Sequence, residues 1–167
     1  MAFGQDSTKI QNYRISRGEY DQKGICIRLG VGIQKSIYPE LGVSKLVYTG
    51  NNEGYAAFAR YAAVEWIPTL LPDKPKNVYG FKIGCEANLN IIAFGIEAKF
   101  QTDTKDNDFI FTPKIGFGIL SMLNLFYGYN ISINMSPFGN IGHHQFSIVC
   151  NLNKRILKES KGFKRLL

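Results

Sequence analysis

The chain has 167 residues, a hydrophobic fraction of 45 % and a mean hydropathy of -0.10, a length that suits one domain. No run approaches the ~18 consecutive apolar residues that a membrane-spanning helix requires. The net charge of +7 reads at first as nucleic-acid binding, but the last stretch holds Lys154, Arg155, Lys158, Lys161, Lys164 and Arg165 against Glu159 alone. That leaves only +2 for the rest, so a nucleic-acid partner is excluded from this reading.

In chain order, residues 1–22 are polar and aperiodic and read as a flexible leader. Met1 to Asp6 carry no basic region followed by an apolar one, so they are not a signal peptide. We expect that a signal segment has been removed, with Met1 not native. The barrel domain is assigned to residues 23–153 and a basic tail to 154–167.

Strand 1 is predicted over Gly24–Ser36, where Ile25, Ile27, Leu29, Val31 and Ile33 alternate with Cys26, Arg28, Gly30, Gly32 and Gln34. Successive side chains of a strand point to opposite faces, so the segment has one apolar and one small-polar face. Strand 2, Pro39–Thr49, breaks the rule because Lys45 shares parity with Leu41, Val43 and Val47; a bulge near Lys45 is expected. Strand 3, Tyr55–Ile67, is Ala-rich, and the opposite parities of Arg60 and Glu65 leave its register open. A loop over 68–77 holds three prolines.

Strand 4, Val78–Leu89, sets Tyr79, Phe81 and Ile83 against Gly80, Lys82, Gly84, Glu86 and Asn88. A tight turn at Asn88–Asn90 leads to strand 5, Ile91–Gln101, whose Ile92, Phe94, Ile96, Ala98 and Phe100 alternate with Ala93, Gly95, Glu97, Lys99 and Gln101. Strand 6, Phe109–Leu120, contains Pro113, which cannot donate to a ladder and predicts a bulge or bend. Strand 7, Leu123–Asn134, carries Leu125, Tyr127 and Tyr129 on one face. Strand 8, His144–Asn153, carries Phe146, Ile148 and Cys150 likewise.

The expected fold is therefore all-β: an eight-stranded antiparallel up-and-down transmembrane β-barrel with a filled polar lumen. Each alternating stretch is about 10–13 residues, close to the ~9–11 that cross a bilayer when tilted. The short turns near 50–54, 88–90 and 120–123 fall on one side. The longer loops near 36–39, 68–77, 102–108 and 136–142 fall on the other, assigned to the cell exterior. Bulk decides which face is outside. The interior of an eight-stranded barrel is only just wide enough for side chains, and the Ile, Leu, Phe and Tyr of six strands would not fit there. The glycine-rich polar face would.

On these residues the chain resembles the small eight-stranded outer-membrane proteins of Gram-negative bacteria. The resemblance covers residues 24–153 and rests on the alternation. It rests also on Trp66, Tyr79, Phe109, Tyr127 and Tyr129 as girdle positions, and on Pro113-Lys114-Ile115-Gly116-Phe117-Gly118 and Tyr127-Gly128-Tyr129-Asn130. It implies an outer-membrane location and carries no catalytic residue across. One departure is the run past strand 8 into a basic tail, where such barrels often finish on an aromatic strand.

The predicted lumen charges are Arg28, Lys82, Glu86, Glu97, Lys99 and Lys114, read as a paired network that fills the interior. The predicted lipid-facing residues are Ile92, Phe94, Ile96, Phe100, Phe117, Tyr127, Tyr129, Phe146 and Ile148. Cys26, Cys85 and Cys150 are expected as free thiols, with Cys26 on the polar face; no metal or cofactor spacing is present. The run from Gly30 to Lys35 lacks the spacing of a phosphate loop.

His143 and His144 are strand neighbours and are expected on opposite faces. A lipid-modifying hydrolase using Ser147 with His144 is a rival reading, opposed by their parity; a soluble lipocalin-like ligand-binding barrel is another. The favoured reading is a structural or interaction protein with no open pore. Membrane lipids or detergent are its surroundings, and a protein partner is a further option through the outer loops or the tail.

Overall fold

A computed structural model describes residues 20–51, 54–68, 77–119, 121–134, 138 and 141–153. The predicted leader up to residue 19, the tail from 154 and most of the loops at 69–76 and 135–140 lie outside them.

The strands in order are β1 (Tyr20–Ile33), β2 (Ile37–Asn51), β3 (Gly54–Ile67), β4 (Val78–Leu89), β5 (Ile92–Thr102), β6 (Asn107–Ile119), β7 (Leu123–Tyr129), β8 (Ile131–Ser132) and β9 (His144–Leu152). All pairings are antiparallel. The sheet runs from β5 back through β1 to β9, β7 and β6, and the β5–β6 pairing closes it into a barrel. No helix is present among the described residues. The short β8 continues β7 in the same register on β6, as Lys114 faces Gly128 and Ile110 faces Ser132. The barrel therefore has eight staves, one of them interrupted at Asn130.

Three local expectations are corrected and one open register is resolved. β1 begins at Tyr20, inside the segment read as leader. No bulge occurs at Lys45: the β2–β3 register runs unbroken from Glu40–Glu65 to Asn51–Gly54, and Lys45 is exposed on the outer face. The register of β3 places Glu65 inside and Arg60 outside without any bulge. Pro113 causes no slip on β5, where it pairs with Ile96. On the other side the ladder stops at Lys114 and resumes at Phe111, skipping Thr112 and Pro113, which has no N–H to give.

The stagger of the barrel follows from the register. A path of paired residues leads from Asp21 through Thr49, Ala56, Leu89, Ile92, Phe117, Leu125 and Ile148 to Val31. It returns to β1 ten residues further along, from Asp21 to Val31. With a rise of ~3.3 Å and a strand spacing of ~4.8 Å, that stagger tilts eight strands by ~40°.

Burial alternates along each strand, and the apolar set is the exposed one. On β6 Phe109, Phe111, Ile115, Phe117 and Ile119 are exposed while Ile110, Thr112 and Lys114 are buried. The lumen is narrow enough that glycine makes room for larger neighbours. A Cβ on Gly32 would overlap the Tyr38 ring, and one on Gly80 would lie 2.6 Å from Cγ of Glu65. Gly116 is stricter, since its Cβ would overlap the carbonyl oxygen of Leu125, which is backbone. Gly116→Ala is expected to cost about 1–3 kcal/mol. Gly142→Ala, with no contact closer than 3.4 Å, should be near neutral; denaturant midpoints in detergent compare the two.

Candidate functional site

The site that the fold builds is the lumen. Arg28 comes from β1, Glu40 from β2, Glu65 from β3, Lys82 and Glu86 from β4, Glu97 and Lys99 from β5, and Lys114 from β6; all are buried. They form one chain of alternating sign. Glu65 meets Lys82 at 3.0 Å, Lys82 meets Glu40 at 2.6 Å, and Glu40 meets Arg28 at 2.5 Å. Arg28 meets Glu86 at 2.6 Å, Glu86 meets Lys114 at 2.7 Å, Lys114 meets Glu97 at 3.0 Å, and Glu97 meets Lys99 at 3.1 Å.

The physical reason for this order is the cost of burying charge. A carboxylate or ammonium taken out of water needs a counter-ion and further hydrogen bonds. Four glutamates meet four cations here, so the chain has no net charge. Neutral groups supply the rest. Tyr61 donates its hydroxyl to Glu97 (2.6 Å) and accepts from Lys114 (2.8 Å), while the Arg28 guanidinium lies 3.7 Å from the Tyr61 ring centroid. Gln145 accepts from Lys99 (2.5 Å) and donates to Glu97 (3.0 Å). Gln101 donates to Glu65 at 2.5 Å.

Two further layers close the lumen. On the tight-turn side a neutral chain runs from Ser44 through Asn151, the Ser121 carbonyl and hydroxyl, Asn88 and Asn124 to Glu86. Cys26, Leu46, Ala57 and Ala59 pack beside it. On the loop side Tyr38, Ile67, Val78, Ile110, Phe138 and Ile141 form a buried apolar cap. Each of the four glutamates is already engaged by a cation, while the buried Asp108 accepts instead from the Ser132 hydroxyl at 2.7 Å and the Asn134 N–H at 3.3 Å.

The six lumen charges named from sequence all lie in this chain. Glu40 and Glu65 were missed. The signal for them was charge balance: the six named groups carry two excess cations, and a closed lumen needs two more carboxylates. The nine residues assigned to the apolar face all point outward, with Phe100 half-buried and the rest exposed. Cys26 is in the lumen, Cys85 and Cys150 are half-buried on the outer face, and all three are free thiols.

The outer face is apolar over ~25 Å of barrel height, from Ile25 and Leu89 at one edge to Tyr79 and Phe109 at the other. Its large aromatics gather at the loop end, where Trp66 pairs with Tyr79 and Phe100 with Phe109. Tyr127 donates to or accepts from Nδ1 of His144 at 2.7 Å there.

The expectation that the two histidines face opposite ways is corrected. His143 stacks on Tyr129 at 5.9 Å and His144 meets the same ring edge-on at 5.4 Å. His143 precedes β9, so strand alternation does not govern it. Ser147 is buried in the lumen while His144 is exposed outside, so the structure does not bring them together.

The fold and its lumen define a closed antiparallel β-barrel with a polar, charged interior and an apolar exterior. No protein-family model, no curated protein and no solved structure matches the chain.

Proposed function

We propose that this chain is a small outer-membrane β-barrel protein of a Gram-negative bacterium, with a structural or interaction role and no open pore. The apolar outer face carries the proposal. Soluble monomers rarely expose contiguous apolar patches beyond a few hundred Å². Here Ile, Leu, Val, Phe and Tyr cover the exterior of all eight staves in a band about as tall as the ~25 Å band of outer-membrane barrels. A soluble ligand-binding barrel needs the opposite arrangement, with its apolar residues inside.

The charge chain and apolar cap support a structural role over conduction, since the side chains described in the lumen are buried and paired with one another and an eight-stranded barrel has little room beyond them. Interaction then falls to the longer loops on one side and to the basic tail. The tail's six cations suit anionic headgroups or an acidic partner.

The test is the behaviour of the purified full chain on SDS gels with and without boiling. The proposal expects a detergent-requiring protein whose unboiled band migrates apart from the boiled one. A monodisperse, folded protein in plain buffer contradicts it.

A further inference from the structure

Within the apolar band, the described outward positions carry charge at only two places, Lys45 on β2 and Arg60 on β3. They are direct partners in the register. Directly opposite residues hold their Cβ atoms within ~5.5 Å, and like charges so placed repel. Neither makes an ion pair or hydrogen bond among the described residues; Arg60 lies over the Phe58 ring at 5.4 Å. Their other neighbours are Ile25 across β1 and Cys85 across β4. The pair sits a few Å inside the edge of the band on the tight-turn side. From there both long side chains reach the rim with their stems on apolar surface.

We propose that Lys45 and Arg60 together hold the phosphate of an anionic phospholipid headgroup at the tight-turn rim. The inference rests on the membrane reading above. Charge complementarity chooses the occupant. Two adjacent cations with no counter-ion among the described residues call for an anion, and the described outer face offers no carboxylate within the band. A second copy of the barrel would therefore bring no counter-ion to this face. At the rim of a bilayer the anion at hand is a headgroup phosphate, and each cation near such a surface strengthens binding.

The experiment uses the full chain in detergent, first checked for a heat-dependent gel shift. It is then given equal amounts of phosphatidylglycerol and phosphatidylcholine, and retained lipid is counted by native mass spectrometry. The native chain should retain phosphatidylglycerol roughly tenfold or more over phosphatidylcholine. K45Q/R60Q should lose that preference and K45R/R60K should keep it. The cations of the tail are present in all three proteins, so they do not account for a difference.

Equal retention of the two lipids by the native chain, or a preference that survives in K45Q/R60Q, overturns the inference and leaves the barrel reading standing. Displacement of the lipid by millimolar inorganic phosphate overturns the lipid assignment in favour of a free-phosphate site. A chain that folds without detergent removes the membrane reading itself, and this inference with it.

Discussion

Arg28→Ala is expected to destabilise the barrel by about 3–5 kcal/mol, the cost of breaking a buried ion pair from one side. Arg28 is fully buried and gives Nε to Glu40 at 2.5 Å and both terminal nitrogens to Glu86 at 3.0 and 2.6 Å. Without it Glu40 keeps Lys82 and Glu86 keeps Lys114, but the network of four glutamates is left with three cations. The double variant R28M/E86Q removes one charge of each sign, leaving Glu40 on Lys82 and Lys114 on Glu97. It should recover at least half of the loss. Urea unfolding followed by the fluorescence of Trp66, the single tryptophan, measures both. A loss below ~1 kcal/mol for Arg28→Ala, the range of solvent-exposed pairs, would mean that the lumen is wet and its charges screened.

Ile96→Arg is expected to cost about 2–4 kcal/mol in vesicles, while Ile119→Arg should cost about 0–1 kcal/mol. Both residues are exposed on the outer face. They differ in depth. Each residue advances ~2.5 Å along the axis at this tilt, which puts Ile96 near the middle of the band and Ile119 at its tight-turn edge. An arginine at mid-depth loses its hydration, whereas one at the edge reaches the headgroups. On a water-facing surface the two substitutions should be alike, each within ~0.5 kcal/mol. Refolding titrations in vesicles distinguish these outcomes, and equal, small effects would contradict the membrane reading.

How much was legible in the sequence depended on side-chain size. From Ile92 to Gln101 large apolar and small or charged residues alternate, so parity gave faces and strand together. β3 gave no such contrast. Alanine stands both inside, at Ala57, Ala59 and Ala63, and outside, at Ala56 and Ala62, so Glu65 and Arg60 were left without faces. In the sequence Lys45 points to a bulge, because a lone cation among outward apolar residues looks like an error of register. The structure keeps the register and sets Arg60 beside it.

The contacts across the lumen, such as Arg28 with Glu86 or Lys114 with Tyr61, were out of reach. They depend on the ten-residue stagger that closes the barrel, which no single strand encodes. The apolar cap was hidden for another reason. Phe138 and Ile141 come from a loop without periodicity, and Ile67 and Val78 stand at strand ends where alternation stops.

The central claim, that acyl chains cover the exterior, is tested most directly by Trp66. It is the chain's one tryptophan, 46 % exposed on the outer face within the aromatic group at the loop end. The native chain would be folded into vesicles of brominated phosphatidylcholine and its fluorescence compared with that in unbrominated lipid. The account predicts strong quenching, greater for bromines placed near the headgroup end of the acyl chain than for those near its middle. Fluorescence unchanged by bromination would place Trp66 in water and contradict the membrane barrel.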